Sequence, residues 1–213
     1  MVISKPPTPI NFYSFGLSGH SHRVALLLNM LELPYTTINV DLPNKAQKLP
    51  AHVAMHPFGQ VPVIEDGGTV VWDSAAILVY LASKYDDGKW LPNEPIGRAE
   101  VQRWLSIAAG PLANGPMVAR VSNIFKRPCD MEQAHTVARN LFVVLDAHLG
   151  EREYLAAQRL TIADLAMYAY VAHAPEGGID LAPYRNITRW LAVIEAAPKF
   201  IPMPRSKVGL WAD

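Results

Sequence analysis

The chain has 213 residues, 50% of them hydrophobic and 18% charged, which suits one large or two small globular domains and excludes a disordered polymer. Its 19 basic and 19 acidic residues cancel, so no overall field draws nucleic acid or an anionic membrane, and a specific small ligand is the expected partner. The single cysteine, Cys129, excludes an intrachain disulfide. The opening segment lacks a basic-then-apolar signal pattern, and the longest apolar runs fall well short of the roughly 20 residues of a membrane span, so the expected compartment is the cytoplasm.

Ile10 to Phe15 reads as a strand, which Gly16, Ser18 and Gly19 interrupt before a helix that starts at Ser21 or His22 and runs to Leu31. Tyr35 to Val40 is a second strand, and the strand–helix–strand order predicts a right-handed parallel crossover. After a linking segment, Val61 to Glu65 and Thr69 to Trp72 flank Asp66-Gly67-Gly68 as a hairpin, and Ser74 to Tyr85 is helical. The composition then changes. Residues 87–95 read as a linker between a domain over 1–86 and an all-helical one over 96–213. Helical patterns cover Ile96 to Phe125, Met131 to Leu149, Thr161 to His173 and Asn186 to Ala196, with a kink or break expected where Gly110-Pro111 and Gly115-Pro116 interrupt the first. Thr161-Ile162-Ala163-Asp164 has the form of a capping box.

The chemistry concentrates in the first half. Pro62 cannot donate to a ladder, so the Val61-Pro62 step suits an edge strand or a cis turn, and such a turn leaves the Val61 backbone open to an extended peptide. Asp73 and Ser74 open a helix whose first N–H groups favour a carboxylate, while the Asp side chain can take an ammonium. A short zwitterionic peptide is the natural ligand. Each feature also has an ordinary reading: Asp73-Ser74 as an N-cap, Ser18 or Ser21 as a cap of the first helix, and the histidine pairs His20/His22 and His52/His56 as structural side chains without a metal.

The βαβ–ββα order with these motifs, followed by helices, resembles the cytosolic glutathione transferases. His56-Pro57-Phe58-Gly59-Gln60-Val61-Pro62 is similar to the family's Asn-Pro-x-Gly-x-Val-Pro segment with His56 in place of Asn, and Asp73-Ser74-Ala75-Ala76-Ile77 is similar to its acidic-Ser-x-Ala-Ile segment. The resemblance implies an α/β plus all-α fold, with an N-terminal thioredoxin-like domain and a C-terminal helical bundle. It also implies a homodimer that uses glutathione as co-substrate without a metal, and a role in detoxification. Val61 would pair with the cysteinyl backbone beside a cis Pro62 and Gln60. Asp73 and Ser74 would hold the γ-glutamyl end, with Gln47 and Lys48 near the glycyl carboxylate.

Ser18 in Ser18-Gly19-His20 resembles the thiolate-stabilising Ser or Thr of bacterial members, with His20 where those have Asn and protonation of His20 adding to the field; Ser21 is the alternative donor. Tyr13 lies early for the tyrosine of other classes, and no Cys stands in the loop. Leu17, Asn114 and Met117, with Arg120 nearby, would border the electrophile pocket, and Trp211 would fold over it or cover core. The implied reaction is conjugation of the glutathione thiolate to a small hydrophobic electrophile. Glutathione-dependent disulfide or peroxide reduction, or a non-catalytic binding protein on the same fold, are the alternatives.

Overall fold

The computed structural model describes residues 5–212, which form two compact units. The first runs to Pro92 and takes back Pro198–Met203; the second comprises Asn93–Ala197 and the chain from Pro204.

In the first unit, β1 (Ile10–Ser14) lies parallel to β2 (Tyr35–Asn39) and antiparallel to β3 (Val63–Asp66), which pairs antiparallel with β4 (Thr69–Trp72), in the order β2-β1-β3-β4. Ile10 and Phe12 are buried with the period-2 alternation of β1, whereas the consecutive Val63 and Ile64 of the interior strand β3 are both buried, one on each face. The helices α1 (Gly19–Met30) and α3 (Ser74–Tyr85) pack together, and their buried residues include Leu27 and Leu28 on α1 and Ile77, Leu78 and Leu81 on α3. The hairpin turn tightens to Gly67-Gly68, both at positive φ (57° and 85°), because Asp66 already pairs with Thr69.

Three local expectations change. The Val61–Pro62 peptide is cis, but β3 runs between β1 and β4, so the cis-turn alternative holds and the edge alternative does not. Helix α1 starts at Gly19, ahead of Ser21, because the Ser18 side chain accepts from Ser21 N and caps the first turn. The linking segment holds a 3₁₀ turn (Ala46–Lys48) and a short helix, α2 (Pro50–Met55), whose six residues carry too few buried positions to show a period.

The second unit comprises α4 (Pro95–Ile107), α5 (Val118–Phe125), α6 (Met131–Gly150), α7 (Ile162–Ala172) and α8 (Arg185–Glu195). Between α4 and α5 the expected break is a π-helical stretch, Ala108–Met117. Pro111 and Pro116 have no N–H for the α ladder, and the wider winding carries the chain through without a turn. Helix α7 is the core: every residue from Ile162 to Val171 is buried, and Thr161 and Asp164 form the capping box, with Trp190 and the Leu155 amide also donating to Asp164. Among the described residues no helix is long and apolar enough to cross a membrane.

Pro198–Met203 returns to lie along α1, where Asn29 donates to the Lys199 carbonyl, His22 Nε2 meets the Ile201 carbonyl at 2.8 Å, and Lys199 pairs with Glu32 at 3.0 Å.

Candidate active site

Two helix N-termini meet in the first unit. Ser18 caps α1 through its Oγ, which accepts from Ser21 N at 3.2 Å, so its hydroxyl proton remains for another acceptor. Asp73 caps α3: one carboxylate oxygen accepts from Ala75 N at 2.9 Å and Ala76 N at 3.0 Å. Those bonds hold Asp73 at φ 70°, ψ 126°, a strained conformation for a residue with a Cβ, and use one of the two oxygens of an exposed side chain. Strain of this kind collects at ligand sites.

The two termini are joined by side chains 54 and 51 residues apart. His20 Nδ1 lies 3.0 Å from Ser74 Oγ, and Arg23 Nη1 donates to the same oxygen at 3.3 Å. Ser74 and Arg23 are both buried. Arg23, which the sequence motifs passed over, is a buried guanidinium that demands polar partners and finds one in Ser74. Burial, and after it the Arg23 charge, lowers the His20 pKa to about 3. The ring is therefore neutral at physiological pH, and the expected contribution of a protonated His20 to the local field is absent.

Across the unit, the Val61 N–H and C=O make no backbone hydrogen bond among the described residues, which leaves an extended pairing edge beside the cis peptide. Exposed Gln60 has its carbonyl bonded by His52 Nε2 at 2.7 Å. Gln47 is half-buried, with its Oε1 enclosed and without a hydrogen-bond partner. The neighbouring Lys48 is exposed and donates to the Phe58 carbonyl at 2.8 Å, across Gly59. A Cβ at Gly59 would lie 2.7 Å from the Gln47 carbonyl, and its φ of 57° also favours glycine. Ser21, the alternative thiol donor, is buried, and its Oγ accepts from Phe15 N at 3.4 Å. Of the paired histidines, His22 Nε2 meets the Ile201 carbonyl and His52 Nε2 the Gln60 carbonyl, while the His56 ring packs on Trp72 with centroids 4.8 Å apart.

Leu17 is half-buried in the loop before α1. In the second unit, Asn114 is exposed and Met117 half-buried on the π-helical stretch. Arg120 is enclosed in an ion pair with Glu176 at 2.5 Å, which also takes the Ser206 amide and His173, so it serves that unit's interior. Trp211 lies on its own unit, edge-on to His173 and beneath the Arg205 guanidinium.

The family model described as "Glutathione S-transferase, N-terminal domain" matches residues 17–84, and that described as "Glutathione S-transferase, C-terminal domain" matches 115–198. "Glutathione S-transferase 3" of Zea mays is 31% identical over 215 residues, covering 92% of this chain and 96% of that protein. "Disulfide-bond oxidoreductase YfcG" of Escherichia coli is 30% identical over 196 residues, covering 86% and 89%. A crystal structure of glutathione S-transferase from Pseudomonas fluorescens superposes with a TM-score of 0.87 at 31% identity, covering 92% of this chain and 99% of that one.

Proposed function

This chain belongs to the glutathione S-transferase family, and we propose that its first unit binds glutathione and presents the thiolate to a small, hydrophobic electrophile for conjugation. The observation that carries this reading is the meeting of the α1 and α3 N-termini through His20, Arg23 and Ser74. Two positive helix ends side by side favour the two anionic parts of one tripeptide, its γ-glutamyl carboxylate and its thiolate. Ser74 takes that carboxylate and Asp73 the ammonium. The Val61 backbone pairs with the cysteinyl residue beside Pro62 and Gln60. The enclosed Gln47 amide and the Lys48 cation, held close by Gly59, take the glycyl carboxylate.

Ser18 is the thiolate donor. A free thiol with a pKa of about 8.5 is only a few per cent ionised at neutral pH, and one hydrogen bond to a charged group is worth about 1.5–3 kcal/mol, or about 1–2 pKa units. A serine proton aimed from the first turn of α1 supplies that bond. Leu17, in the loop before α1, is the residue of the first unit we assign to the electrophile.

The relative named as a disulfide-bond oxidoreductase supports a second reading, reduction of a glutathione-linked disulfide. Turnover separates the two: conjugation of an aryl halide by the wild-type enzyme supports the first, and disulfide reduction without conjugation replaces it with the second. A calorimetric titration in which glutathione does not bind overturns both.

We place the enzyme in the cytoplasm, in detoxification, as a homodimer. Phe58 is 66% exposed and stacks edge-on against Trp72, next to exposed Val70, making an apolar knob that a second copy would cover.

A further inference from the structure

The hydroxyl of Ser74 poses a problem of proton accounting. It carries one proton and two lone pairs, and two side chains of α1 converge on it, His20 through Nδ1 at 3.0 Å and Arg23 through Nη1 at 3.3 Å. A guanidinium only donates, so Arg23 occupies one lone pair. His20 can stand on either side of its bond, accepting the Ser74 proton when its own sits on Nε2 and donating when it sits on Nδ1. Burial and the Arg23 charge keep the ring neutral, so one nitrogen carries a proton and the other does not. A carboxylate only accepts. When one approaches Ser74, the serine proton can serve it or His20, but not both.

We propose that His20 is a positioning residue for the γ-glutamyl carboxylate: in the complex His20 Nδ1–H and Arg23 Nη1–H fill both lone pairs of Ser74 Oγ and turn its single proton onto the ligand. This rests on the assignment of Ser74 to glutathione made above. It moves His20 from the sulfur to the amino-acid end of the tripeptide, so its effect falls on glutathione affinity and leaves thiol acidity to Ser18. Ser74 is buried, so a proton turned the wrong way leaves the incoming carboxylate facing a lone pair.

The test uses the full-length protein with glutathione as the probe, in wild type, His20→Ala and His20→Asn, whose amide N–H can stand in for Nδ1–H. Calorimetry and steady-state kinetics should show His20→Ala weakening glutathione Kd and raising its KM about tenfold, the size of one lost hydrogen bond to a charged group. KM should change more than kcat, and the pKa of the bound thiol should move less than in Ser18→Ala. His20→Asn should recover most of the affinity, which a loss of packing alone would not produce. Nitrogen-15 spectra of the wild-type ring should show Nδ1 protonated in the glutathione complex, a readout independent of whether any variant folds. Wild type that binds glutathione with the ring protonated on Nε2, or His20→Ala that binds as tightly as wild type while its thiol pKa rises, overturns the inference alone. Wild type that does not bind glutathione overturns the reading of the site and this inference with it.

Discussion

Asp73 has two duties on one side chain. One carboxylate oxygen caps α3 through Ala75 and Ala76, and the charge is what we assign to the ligand ammonium. Asparagine separates them, because its amide oxygen keeps the cap while the charge goes. Asp73→Asn should leave thermal stability close to wild type and weaken glutathione by about 1.5–3 kcal/mol in calorimetry, whereas Asp73→Ala should also lose about 0.5–2 kcal/mol of stability with its cap. An Asn variant that binds glutathione like wild type contradicts the assignment. The residues of this site that were legible in the sequence are those whose evidence is local: Val61-Pro62, Asp73-Ser74 and Ser18 each announce a turn or a helix start within a few positions. The tie from His20 and Arg23 to Ser74 was not legible, because it exists only when α1 packs on α3, and no local pattern encodes a contact across more than 50 residues.

Among the elements, α3 owes its place to Asp66 at the end of β3. One Asp66 oxygen accepts from Tyr80 Oη at 2.8 Å, Lys84 Nζ at 2.7 Å and Tyr85 Oη at 2.7 Å, tying the helix to the hairpin. Burial pushes the Asp66 pKa up, but the donors Lys84, Tyr85 and Tyr80 outweigh it and hold the carboxyl below its ordinary value. A depressed carboxyl pKa stabilises the fold above the ordinary value, and that stability is lost as pH falls through the lower, folded-state value. Asp66→Asn should therefore unfold at lower temperature than wild type at neutral pH, with the gap closing as the pH falls below the ordinary carboxyl value toward the lower folded-state one. A gap that stays constant with pH would show that charge has no part in the tie.

The sheet, α1, α3 and the main helices of the second unit were legible because their apolar periods span whole elements. Helix α2 was not, being six residues with a proline at its start. Nor was the return of Pro198–Met203 to α1, since its anchors are mostly backbone carbonyls of Lys199 and Ile201, which carry no side-chain signature. At Gly110–Pro116 the breakers were visible, but not that the chain would widen its winding instead of turning.

The whole-molecule proposal is a homodimer, and Ile77, Leu78 and Leu81 of α3 are already buried within the first unit. Phe58, Val70 and Trp72 are among the large apolar side chains exposed among the described residues. Sedimentation at micromolar concentration should give a dimer mass for wild type and a shift toward monomer for Phe58→Ser, since a central aromatic anchor typically costs about 2 kcal/mol or more when removed. A wild-type monomer contradicts the dimer. The most direct test of how this enzyme works is ultraviolet difference titration of bound glutathione in wild type, Ser18→Ala and Ser21→Ala. Wild type should ionise the bound thiol well below its free value of about 8.5, and Ser18→Ala should return the pKa upward by about 1–2 units with glutathione affinity nearly intact. A Ser18→Ala enzyme that titrates like wild type, while Ser21→Ala does not, would contradict Ser18 as the group that holds the thiolate.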